Sequence, residues 1–128
     1  MGVTPSLEAP FHETSVLPSD RFSLDRIDLA LRGRVARTIE GTAHAAAVAL
    51  VLRSHRSVLE ALFIKRADHP NDPWSGHVGL PGGRAEDRDE GLVRTAIRET
   101  EEEIGLSLDA VRHLVGPLDE TRATARTK

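Results

Sequence analysis

"LPGGRAEDRDEGLVRTAIRETEEEIGL", residues 80–106, reads as a Pro-Gly-Gly turn, a short acidic loop and an amphipathic helix that stops at Gly105. Asp87 or Asp89 stands where it can cap the helix, which should run to about Glu103. At 100° per residue, Leu92, Val93, Ala96, Ile97, Thr100 and Ile104 share an arc of about 140°, the expected core-facing stripe. The end of this helix is unusual. Four of the eight residues from Arg98 to Gly105 are glutamates. Glu99, Glu102 and Glu103, spaced i, i+3 and i+4, gather in an adjoining arc of about 100°, while Glu101 turns to solvent.

Like charges at this spacing repel, and acids in the last turn oppose the helix dipole. Together the penalty is roughly 1–2 kcal/mol, against a typical stability of about 5–15 kcal/mol. Two readings account for it. One is a solvated acidic face, which exposure makes cheap. The other is a cation site, because clustered carboxylates suit hard divalent ions, Mg²⁺ first and Mn²⁺ as a substitute. Its neighbours favour the cation site. Gly82 and Gly83 let backbone carbonyls approach an ion, and Arg98 can grip a carboxylate with both arms or neutralise part of the cluster.

The stretch resembles the Nudix box. That pattern is Gly, five residues, Glu, seven residues, Arg-Glu, an aliphatic, any residue, Glu-Glu, any residue, Gly and an aliphatic. Arg98, Glu99, Glu102, Glu103, Gly105 and Leu106 match it in register. Counting back from Arg98 puts the earlier glutamate at Glu90 and the glycine at position 84, where Arg84 stands. Gly83 comes one residue early, so the loop carries one extra residue, and Thr100 replaces the usual aliphatic.

The resemblance implies an α/β protein, an α/β/α sandwich around a mixed sheet, that hydrolyses a diphosphate linked to another group. The box, about 83–106, would bind Mg²⁺ or Mn²⁺. Carried over by position, Glu99, Glu102 and Glu103 would be metal ligands, joined by the carbonyl of Gly83. Arg98 would orient Glu99, and Glu90 would be a supporting acid at the front of the helix. Glu99 is the first choice for the base that takes a proton from an activated water, a later loop being the other source. The extra loop residue, the "GxxxxPGG" of 76–83 and "TAIRETEEEIG" resemble the coenzyme A pyrophosphatase branch. Three positions depart from it: Trp74 replaces a His, Ala67 replaces a Ser after Arg66, and Leu80 replaces an aromatic. A Nudix-fold nucleotide-binding or regulatory domain without turnover is the second reading, and three aligned carboxylates favour the enzyme over it.

Outward from the box, "DHPNDPWSGHVGLPGG" (68–83), with three prolines and four glycines, reads as one long loop. Arg66 ahead of it can contact a phosphate or end a strand in solvent. Trp74 can stack on an adenine or cover the core edge. His77 can serve acid–base chemistry or stay structural. "AAAVALVL" (45–52) has the length of a strand covered on both faces, and "RSHRS" (53–57) joins it to "VLEALFIKRA" (58–67) as a hairpin. "SLDRIDLALRG" (23–33) reads as a helix capped by Ser23, with Leu24, Ile27 and Leu31 on one side and Gly33 as its stop. Residues 1–21, with Pro5, Pro10 and Pro18, read as a flexible leader ahead of a domain over 22–128. Gly2 and Ser6 fit the loose N-myristoylation pattern, and "MGVTPSLEAP" (1–10) lacks the basic and apolar regions of a secretory signal.

The 128 residues suit one domain. There is no cysteine, which excludes disulfides and thiolate sites and fits the reducing cytoplasm. A formal charge of −3 argues for neither nucleic acid nor membrane as partner, and the resemblance implies a small-molecule diphosphate as substrate. Only 22 residues follow Leu106, room for one strand and a loop, where a sandwich calls for further strands and a closing helix. The expectation is a domain truncated at its C-terminus or completed by a partner, a homodimer being one form. It should then elute as an oligomer or melt with incomplete cooperativity.

Overall fold

A computed structural model describes residues 23–41, 44–71, 74–111 and 113–123. The expected leader and the Gly2 pattern lie outside them. In chain order the elements are α1 (Leu24–Leu31), β1 (Ala46–Val48), β2 (Leu52–His55), β3 (Val58–Ala61), β4 (Ile64–Lys65), β5 (Val78–Gly79), β6 (Gly82–Arg84), α2 (Leu92–Ile104) and α3 (Leu108–Val111). This is an α/β fold. Its described strands form three antiparallel pairs, β1–β6, β2–β3 and β4–β5, where the expectation was a mixed sheet.

Helix α1 forms where its period places it. The Ser23 hydroxyl accepts the Arg26 N–H at 3.3 Å, and Arg32 closes the other end just before Gly33. The 45–52 run does not behave as one doubly covered strand. Its first half pairs with β6 and its second half with β3. Alternate residues face solvent, Val48 being 60% exposed, because helix α2 packs on one side of β1 only. The β2–β3 hairpin turns through Arg56 and Ser57, with φ of 49° and 64°. Two-residue turns with both central residues at positive φ match the twist of the strands they join.

The 68–83 segment is shorter as a loop than expected. Arg66 donates its N–H to the His77 carbonyl beyond the β4–β5 pair, so the loop closes on itself. Pro81-Gly82-Gly83 is not a free turn, since Gly82 and Gly83 pair with Val48 and Ala47. A Cβ on Gly82 would lie 2.2 Å from the Ala47 carbonyl oxygen. Only glycine lets the two strands come this close.

Helix α2 lies over β1 and β6. It starts at Gly91, which offers no side-chain cap, so neither Asp87 nor Asp89 caps it. It ends at Gly105 in the left-handed conformation (φ 69°), whose N–H bonds the Glu101 carbonyl. The buried face shares Ile97 and Thr100 with the expected stripe and extends beyond it to Thr95. Thr95, Ile97 and Thr100 are its buried residues, while Val93 is exposed. The apolar core is thin. Among the described residues only Leu62 (2% exposed) and Ile97 (5%) are fully buried apolar side chains of any size besides Pro81.

After Leu106 the chain forms α3, tied to α2 by Arg94 on both oxygens of Asp109. No strand follows among the described residues, against the one expected. Instead Asp119 and Glu120 reach back to residues 34–39. Asp119 accepts from the Arg37 N–H and from the side chains of Arg34 and Arg37, and Glu120 accepts the Ile39 N–H.

Candidate functional site

The last two turns of α2 run beside β6, and the glycines of that strand decide how close the acids come. The Glu99 carboxylate lies where a Gly83 side chain would be, since a Cβ there would sit 2.4 Å from Glu99 Cδ. One turn on, Glu103 Oε2 accepts the Gly82 N–H at 2.8 Å. Glu99 and Glu103 therefore line the glycine strand. Glu102 does not join them, and lies instead on the side of the acidic loop. Its Oε2 accepts Arg98 Nη1 at 3.0 Å and its Oε1 accepts Arg88 Nη2 at 3.2 Å. Glu101 is exposed, as its place on the wheel requires.

Arg98 is the centre of the arrangement. Its side chain is only 14% exposed. Nε and Nη2 hold the two oxygens of Asp89, each at 2.9 Å. Nη1 bonds Glu99 at 3.0 Å in addition to Glu102, and Nη2 also reaches the Arg84 carbonyl. Asp89 in turn accepts the Thr95 hydroxyl and the Glu86 N–H, both at 2.9 Å. Fully donated to, the Asp89 carboxyl is held far below the usual carboxylate range, first by Arg98 and then by the Glu86 N–H. The same pairing with Asp89 raises the Arg98 guanidinium well above its ordinary value.

Asp89 is thus the acid that Arg98 grips, and Glu90 is exposed beside it. The signal was present in the sequence. Counting forward from Gly83, five residues lead to Asp89. Counting backward from Arg98, seven residues lead to Glu90. The single extra residue therefore falls between Asp89 and Arg98.

Arg66 and Trp74 flank the β4–β5 pair, Arg66 directly after β4 and Trp74 in the loop before β5. Trp74 meets His77 edge-on, with ring centroids 5.9 Å apart. The Arg66 N–H on the His77 carbonyl and the Trp74–His77 ring contact keep these three together.

The NUDIX domain family model matches residues 42–127, two-thirds of the chain. The chain belongs to the Nudix family. Relatives include an uncharacterized protein of Schizosaccharomyces pombe, 44% identical over 70 residues, covering 54% of this chain and 21% of the relative. An uncharacterized Nudix hydrolase, NudL, of Yersinia enterocolitica is 41% identical over 63 residues, covering 47% of this chain and 31% of the relative. NudL of Yersinia pestis is 42% identical over 57 residues, covering 44% and 28%. The Nudix chain described here spans less than a third of the length of each. No solved structure matches it.

For a divalent cation, the chemistry of the donors fits. Carboxylate oxygens are the ligands hard ions take, and the side-chain-free surface of Gly83 cradles the Glu99 carboxylate. The arrangement is not a closed cage. Among the described residues no group of three acidic or histidine side chains converges on one point, because Glu102 is turned toward two guanidinium groups.

Proposed function

We propose that this chain is a metal-dependent hydrolase that cleaves the diphosphate linkage of a nucleoside diphosphate-X compound, with coenzyme A or a derivative as the leading substrate. The observation that carries the reading is the Glu99 carboxylate set into the space of Gly83 and held there by the Asp89-clamped Arg98. A carboxylate fixed this way beside a positively charged hub is a poor choice for mere solubility. It is a good one for presenting an oxygen at a constant position.

Glu99, Glu102 and Glu103 would hold Mg²⁺ or Mn²⁺ with the Gly83 carbonyl, which requires Glu102 to turn from at least one of its two arginines. The ion would offset the charge of the diphosphate and acidify a bound water. The chain's own residues do the rest. Arg98 fixes Glu99, and Glu99 is the first candidate to accept the water's proton. Asp89 keeps Arg98 from swinging to the substrate. Arg66 and Trp74 would meet the phosphate and the base, which requires the β4–β5 unit to face the acidic edge across the bound molecule. Coenzyme A is favoured by the extra loop residue and by the run from Gly76 to Gly83.

Release of phosphate-containing products from coenzyme A, ADP-ribose, nucleoside triphosphates and dinucleoside polyphosphates, with Mg²⁺ present, tests this. Coenzyme A should be cleaved fastest, and Glu102→Gln should lower turnover. Binding of a panel member without cleavage would favour the second reading, a nucleotide-binding domain. Turnover that Glu102→Gln leaves unchanged would end the metal-site assignment.

A further inference from the structure

Glu102 is the one box glutamate with both oxygens engaged by cations, and the two cations are unequal. Arg98 is largely shielded from solvent and anchored on Asp89, Glu99 and the Arg84 carbonyl as well as on Glu102. It cannot leave without stranding buried partners. Arg88 is 64% exposed, and its other contact is Glu86, at 2.6 Å from Nε. It can let go of Glu102 and remain paired. We infer that Arg88 is a displaceable counter-ion for Glu102, competing with the divalent cation for that carboxylate and thereby setting the affinity of the site.

The physical case rests on where the charges sit. A carboxylate that accepts from two guanidinium groups has little left to offer a dication. One of the two must withdraw before Glu102 can turn toward Glu99 and Glu103. Exposed ion pairs are weak and exchange readily, so Arg88 yields first. Glu86 gives the guanidinium somewhere to stay, which keeps the cost of withdrawal small. Position 88 lies in the five-residue spacer between Gly83 and Asp89, where the box pattern specifies no residue type, so this cation is a property of the chain rather than of the pattern.

The inference rests on the cation-site reading proposed above, and the test separates the two. Mn²⁺ affinity is measured on the 128-residue chain by the electron paramagnetic resonance of free Mn²⁺, with no substrate present. Arg88→Ala should tighten Mn²⁺ binding about two- to fivefold, the size expected from loss of an exposed competing pair. Arg94→Ala removes the same charge from α2 but pairs with Asp109, so it should have a smaller effect. In a Glu102→Gln background, Arg88→Ala should add nothing. Arg88→Gln repeats the measurement if the alanine variant melts early. An Arg88 effect equal to that of Arg94, or one that persists with Glu102→Gln, overturns the counter-ion role while leaving the site intact. A wild-type chain that binds no Mn²⁺, or binds it as Glu102→Gln does, overturns the site itself and the counter-ion with it.

Discussion

Asp89 lies almost out of solvent while Glu90 beside it is exposed, and the reason is which of them Arg98 can reach with both arms. The box pattern, counted from its glutamates, pointed at Glu90. Counting fixes spacing along the chain, whereas the guanidinium chooses by geometry, and one inserted residue moves the partner by one. Asp89→Asn keeps the shape and removes the charge. Turnover should fall about 10–100-fold, the usual effect of losing a residue that orients a ligand. Glu90→Gln should stay within about twofold of wild type, since surface substitutions away from such features have small effects. Rates for the two variants side by side decide between the registers, and Asp89→Glu should recover part of the loss.

At the scale of elements, the acid-tipped helix was legible because its period is expressed by side chains, and glutamates spaced i, i+3 and i+4 must share an edge. Strand β6 was not legible. Pairing strands announce themselves by alternating side chains, and Gly82 and Gly83 have none to alternate. They read as a turn and fold as a ladder. The two glycines should also respond differently to the same substitution. A Cβ at Gly82 meets backbone, the Ala47 carbonyl and Val48 Cα, which cannot step aside. Gly82→Ala should cost about 1–3 kcal/mol or more in denaturant unfolding. A Cβ at Gly83 meets first the end of the Glu99 side chain, which can rotate away. Gly83→Ala should melt near wild type and yet lose most of its turnover. If Gly83→Ala keeps its rate, the cradle is unnecessary for Glu99.

Across the whole molecule, the segment ahead of β1 and the segment after α3 are fastened to each other by charge. Asp119, more than 80 residues from its partners, binds the Arg37 N–H and the side chains of Arg34 and Arg37. These contacts lower its pKa from 3.8 to about 2, the Arg37 N–H contributing most. A carboxyl with a depressed folded-state pKa stabilises the fold above its unfolded value and loses that contribution as pH falls through the folded one. Asp119→Asn should therefore lower the melting temperature at pH 7, and its deficit should shrink between about pH 4 and pH 2. A deficit that is constant over this range would mean that the contact acts through shape alone. No sequence pattern pointed to this clamp, because two segments so far apart share no period and no motif. Its residues read as ordinary surface charges until the fold brought them together.

The bond from the Gly82 N–H to Glu103 gives the molecule a reporter of its own. An amide proton held by a carboxylate resonates far downfield, and its position follows the electron density on the accepting oxygen. When a cation or a proton takes charge from Glu103, the Gly82 signal should move upfield, while glycine signals remote from the helix stay in place. The occupancy of one box glutamate can then be followed by magnetic resonance on the unaltered chain, with no label, no variant and no turnover.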